Sequence, residues 1–157
     1  MNFKRLAGTA VAAVLVLGVT AQSAFASEKT EVTAAVHKFF DNLGNDHLQT
    51  ALAVCDSPVS VIDEFPPHEW NGPKACADWW KDYQAYNQKN GITDTNAALG
   101  TEWSVDVSGD RAYFVSPATY SYKQHGKAFS ESHAVFTAAL KRTNTGWRIT
   151  GWTWSKH

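Results

Sequence analysis

The hydrophobic period of this chain changes once, at Gly91. Ahead of that glycine, apolar residues return every three or four positions; beyond it they return every second position. A single change of this kind puts helices first and strands afterwards, and leaves the helices one sheet face to cover. Four strand-like runs follow, at about 95–107, 111–123, 127–142 and 147–155. Ser108-Gly109-Asp110, His125-Gly126 and Thr143-Asn144-Thr145-Gly146 separate them, all suited to hairpin turns. Pro117 interrupts the second run and cannot donate to a ladder, so a bulge or bend is expected there. Long bulged strands curl. The expected product is an α+β cone, three N-terminal helices packed on a curved antiparallel sheet around an apolar interior.

Val32, Ala35, Val36, Phe39, Phe40 and Leu43 form one apolar stripe, which predicts a helix over Glu31–Asn42 closed by Gly44. Asp46 reads as the N-cap of a short second helix, with Gln49 three residues on and Leu48, Ala51, Leu52 and Cys55 as its buried side. Pro58 stops helix, and Val59–Asp63 reads as a strand. Phe65–Gly72 is loop, with room for a short strand at Glu69-Trp70. Pro73 suits the first position of a third helix running to about Asn90, with Cys76, Trp80, Tyr83 and Asn87 on one face.

With 157 residues there is room for one domain. The first 26 residues do not belong to it. Lys4 and Arg5 precede an apolar run, Thr9–Thr20, and Ala24-Phe25-Ala26 supplies the small-x-small pattern of a cleavage site. The run is short for a membrane span, so the expectation is a cleaved signal peptide over 1–26 and a single exported domain over 27–157, periplasmic or secreted and free of the membrane. Removal of Lys4 and Arg5 leaves 12 basic against 15 acidic residues, net −3. That balance offers no footprint for nucleic acid. Outside the cytosol, Cys55 and Cys76 are either a disulfide closing a loop of 21 positions or two buried thiols.

Several segments together resemble the NTF2-like superfamily, with its SnoaL-like proteins and ketosteroid isomerases. They are VTAAVHKFFDNLGNDHLQTALAVC, a strand ending in VID, WNGPKACADWW, and HAVFTAALKRTNTGWRITGWTWS. The resemblance covers nearly all of residues 30–156 and implies a cone that hosts isomerases, dehydratases, cyclases and plain binding domains alike. It puts Asp63 where the steroid isomerases keep their proton-shuttling carboxylate. It also puts Phe39 and about Ala138 where those enzymes keep their two oxyanion donors, so it argues against steroid isomerisation.

Asp63 is also the leading residue on pattern alone. It shares a strand face with Val59 and Val61, so the carboxylate enters the cone if the valines point inward; otherwise Asp63-Glu64 is a solvated turn. Phe39, Trp70, Trp80, Tyr83, Trp103 and Trp154 are the expected ligand-pocket rings, and all seven Trp lie beyond position 69. Tyr120 and His68 are candidate proton donors beside Asp63. His133 falls on the outer sheet face with Val135 and Thr137, where a homodimer would form. No HxH, HExxH, clustered acids or phosphate-cradling glycine loop is present in the sequence, so neither metal nor cofactor is expected. Three functions fit: a domain binding a small, largely apolar or aromatic molecule; a cofactor-free isomerase, dehydratase or cyclase with Asp63 as base; or a non-catalytic dimeric interaction domain.

Overall fold

The computed structural model describes residues 17–45 and 47–156. The basic head and most of the apolar run of the expected signal peptide, residues 1–16, lie outside the described residues, as does Asp46. Helix α1 spans Leu17–Gly44, α2 Leu48–Leu52 and α3 Ala75–Lys89. The strands are β1 Cys55–Ile62, β2 Glu69–Gly72, β3 Ile92–Leu99, β4 Ser104–Ser108, β5 Arg111–Gln124, β6 Lys127–Thr143 and β7 Gly146–Ser155.

The expected architecture stands with corrections. One seven-stranded sheet runs β2-β1-β7-β6-β5-β3, with β4 also on β5. It is mixed rather than antiparallel, because β1 lies parallel to β7. The helices are not an N-terminal trio: α2 has five residues, and α3 follows two strands. Residue 47, not Asp46, stands at the start of α2, and its side chain makes no capping hydrogen bond. Cys55 opens β1 instead of ending α2, and Pro73 lies before α3, whose N-cap is Lys74. The buried side of α3 is Ala75, Cys76 and Trp79, rotated by about one residue from the expected face, with which it shares Cys76.

The first strand run splits into β3 and β4, and Pro117 shows why. Its carbonyl accepts from Gly100 N at 2.8 Å, on the side of β5 where β4 ends and β3 begins. The missing N–H therefore faces the changeover and removes no bond to β6. Ser116, fully buried, donates its hydroxyl to the carbonyls of Gly100 and Pro117, both at 2.9 Å, and satisfies the crossing. His125 (φ 50°) and Gly126 (φ 83°) are both left-handed, the backbone that a two-residue hairpin between right-twisted strands requires.

Two bulges set the interior. Between β6 and β7 the register slips at Ala139/Leu140, where Thr150 is the extra residue. Trp147 and Ile149 are buried on one side of it, and Trp152 on the other with even parity. The second slip, opposite Ala118–Tyr120, adds a residue to β6. Ala134, Phe136, Ala138 and Leu140 are buried at even positions, yet beyond the bulge Glu131 faces the interior. Val32, Val36 and Phe39 of α1 close the core against this sheet. Cys55 and Cys76 are bridged, with Cα atoms 6.6 Å apart, so β1 is pinned to α3.

Candidate functional site

The cone encloses a cavity of about 290 Å³ between α1, α3 and the concave sheet. A cavity of roughly 150 Å³ already holds benzene, so this one has space for a body of one or two rings. Phe39 and Phe40 come from α1, Trp79, Trp80 and Tyr83 from α3, and Trp152 and Trp154 from β7. Trp79 and Tyr83 stack at 5.7 Å between centroids, as do Trp80 and Tyr83 at 5.3 Å. These pairs come from neighbouring turns of one helix, which brings i and i+3 or i+4 side chains together.

Asp63 follows the last residue of β1 and still enters the cavity. Its Oδ2 accepts from Trp79 Nε1 at 2.8 Å, and its Oδ1 accepts from the Glu64 backbone N–H at 2.7 Å. Its own N–H donates to His68 O at 3.1 Å, which closes the 63–68 loop and fixes the carboxylate's direction. Burial raises its pKa from 3.8 to about 6, although the Trp79 and Glu64 N–H groups both favour the ionised form. A carboxyl that titrates near neutrality beside an apolar space is equipped to take up and return a proton.

Tyr83 and Tyr120 meet hydroxyl to hydroxyl at 2.8 Å across the cavity wall. One proton lies between the two oxygens and the other remains free for a further acceptor. Burial foremost, then the Tyr83 hydroxyl, pushes Tyr120 above the ordinary tyrosine range, so it stays a neutral donor. Towards the mouth, Lys156 Nζ lies 2.8 Å from Glu64 Oε1 and 2.9 Å from Glu131 Oε1, and Tyr122 OH donates to the same Glu131 oxygen at 3.2 Å. Partial burial works against the Lys156 charge, but the two carboxylates outweigh it and hold the ammonium above the usual lysine range.

Of the residues singled out from the sequence, Asp63, Tyr120, Phe39, Trp80, Tyr83 and Trp154 line the cavity. Three do not. Trp70 is buried behind the wall, packed on Phe65 with its Nε1 donating to Asp82 Oδ2 at 2.9 Å. Trp103 is 65% exposed in the β3–β4 connection, because the run expected to carry it inward is interrupted there. His68 is exposed in a tight turn at φ 75°, its Nδ1 3.3 Å from the backbone carbonyl of Asp63 and outside the cavity lining. Glu131, Lys156 and Trp79 line the cavity as well. Glu131 shares its parity with the outward His133 and needs the β6 bulge to turn in; Trp79 was visible as half of a Trp-Trp pair, but on the flank of the expected face.

A bulged, curled sheet roofed by helices around a ring-lined hollow with one buried carboxylate is the NTF2-like cone. The chain belongs to the SnoaL-like domain family, which it matches over residues 30–156. Solved structures with the same fold include an NTF2-like protein from Novosphingobium aromaticivorans, 14% identical, with a TM-score of 0.70 over 88% of this chain and 87% of that one. A ketosteroid isomerase-like protein from Erwinia carotovora atroseptica is 15% identical, with a TM-score of 0.65 over 82% and 95%. A Salmonella enterica serovar Typhimurium protein of the NTF2-like superfamily is 16% identical, with a TM-score of 0.68 over 83% and 92%. No curated protein matches this chain in sequence.

Proposed function

We propose that this SnoaL-like domain binds a small, largely apolar or ring-containing molecule inside the cone. The observation that carries this reading is the aromatic cavity of about 290 Å³ closed around the Asp63 carboxylate. Large rings with few rotors offer contact area at low entropic cost, and the few polar groups among them fix orientation. Native mass spectrometry of protein purified from its own host tests it: a co-purified small molecule, lost on Phe39→Ala or Trp154→Ala, is the expected result. Protein that carries no such mass, and that no small apolar molecule stabilises, sinks the reading.

A second reading is favoured by the state of Asp63, whose pKa of about 6 suits a general base. In that case the domain is a cofactor-free isomerase, dehydratase or cyclase, with the Tyr83–Tyr120 pair as hydrogen-bond donor. Asp63→Asn separates the two: it abolishes turnover in the enzyme, whereas the binding domain keeps ligand-dependent stabilisation, weakened at most by the lost charge.

We further propose export. The Cys55–Cys76 disulfide belongs in an oxidising compartment, and the basic, apolar, Ala-Phe-Ala order of the first 26 residues supports it. Among the described residues no helix is long and apolar enough to cross a membrane. An N-terminal sequence starting at Ser27 in protein secreted by its host is the expected outcome. A homodimer through the outer sheet face, around His133 and Thr137, is the accompanying proposal, tested by the solution mass.

A further inference from the structure

The cavity has a sign of charge. Its lining holds three carboxylates, Asp63, Glu64 and Glu131, against one cation, Lys156. Lys156 is already held by both glutamates, so its charge is taken up within the wall. Fully ionised, the four groups sum to −2. Glu131 also keeps its second oxygen, Oε2, buried with no hydrogen-bond partner. An anion entering this space meets the excess negative charge, whereas a cation is drawn to it.

The rings point the same way, since each presents a negative face. Trp79 meets Trp152 at 89°, Phe40 meets Phe136 at 90° and Tyr120 meets Trp154 at 75°. Together with the stacked Trp79–Tyr83 and Trp80–Tyr83 pairs, these rings present faces in more than one direction, and a compact ammonium can meet several of them at once. Among the described residues, the protein's own cations over rings are Lys127 on Phe129 and Arg142 on Trp147, and neither pair lines the cavity.

We propose that the molecule held in the cone is an organic cation, a protonated or quaternary ammonium on an apolar body, with its charge among Asp63, Glu131 and the surrounding rings. The inference rests on reading the cavity as a ligand site and adds the charge class of the ligand. The Lys156 ammonium across Glu64 and Glu131 is the protein's own example of the contact.

The test titrates the full chain with phenyltrimethylammonium, with tert-butylbenzene as its uncharged isostere, and with benzoate, following tryptophan fluorescence and thermal stability. The cation is expected to bind about tenfold or more tightly than the isostere, with benzoate weakest. Lys156→Met, which frees two carboxylates, should tighten the cation several-fold and leave tert-butylbenzene unchanged; Glu131→Gln should loosen the cation alone. An isostere that binds as well as the cation, or benzoate binding that is lost in Lys156→Met, overturns the charge assignment while the cavity remains a ligand site. If none of the three probes binds, the ligand-site reading fails with it.

Discussion

Trp79 donates its indole N–H to Asp63 across 2.8 Å, tying the third helix to the loop that follows the first strand. The bond fixes one carboxylate oxygen without cancelling the cost of burial, so Asp63 rests at a pKa of about 6 against an ordinary 3.8. Its effect on stability runs opposite to that of a salt-bridged carboxylate. Below about pH 3 both folded and unfolded chains hold the proton, and the group costs nothing. As pH rises from about 4 to 6, the unfolded chain ionises freely in water while the folded chain must ionise in a partly dry site. Stability therefore falls through that window, by about 3 kcal/mol in all. Asp63→Asn removes the penalty. It should unfold at the same denaturant concentration as the parent at about pH 3 and be about 3 kcal/mol more stable at pH 8. Equal stability of the two proteins at pH 8 would mean that the carboxylate is well solvated.

Trp79→Phe keeps a ring in the wall and deletes the donor. Because that N–H favours the ionised form, Asp63 should then titrate at higher pH than in the parent. Carboxyl carbon chemical shifts of Asp63, followed by NMR across the titration, report this directly. A midpoint that stays put or falls would exclude the bond.

The Tyr83–Tyr120 hydroxyl contact at 2.8 Å makes a different kind of prediction. Tyr83→Phe and Tyr120→Phe should each cost about 1 kcal/mol, since each leaves its partner short of a bond in a half-buried wall. The double variant should cost clearly less than the two together, because the second deletion removes a hydroxyl already left alone. Denaturant unfolding of the three variants closes the cycle, and strict additivity would show that the two hydroxyls do not interact.

The cone was legible in the sequence because its evidence is periodic. The stripe Val32–Val36–Phe39 and the alternation Ala134–Phe136–Ala138–Leu140 each report a buried face, and both are buried. The site was legible most directly where a side chain sits on an unbroken period. Glu131 lies past a bulge, and one inserted residue reverses the face of everything beyond it; Trp154, also past a bulge, was reached through its ring chemistry and not through its period. Asp63 came within reach on the expected condition: Val59 and Val61 are buried and the carboxylate keeps their face, although β1 stops at Ile62 as the solvated-turn alternative had it. Trp103 failed in the converse way: the run carrying it is cut at residues 100–103, and the local sign of that is a single glycine, Gly100, packed against Pro117. The parallel pairing of β1 with β7 joins segments about ninety residues apart, and no short-range pattern encodes it.

The Cys55–Cys76 bridge closes a loop of 21 positions that contains β2 and the 63–68 turn. Closing a loop of that length lowers the entropy of the unfolded chain by the equivalent of about 3 kcal/mol, and the Cys55→Ser/Cys76→Ser variant should lose about that much. The loss should not be confined to global stability. Cys76 and Trp79 lie one turn apart on the buried side of α3, so the bridge also holds the indole against Asp63. Without it, helix and strand are joined only by packing and by bonds of the Trp79–Asp63 kind. The expected result is a denaturation midpoint lowered in the double variant and equally lowered in parent protein treated with reductant, with tryptophan emission changing before the main transition. A variant as stable as the parent, with unchanged emission, would show that apolar packing alone fixes α3 on β1.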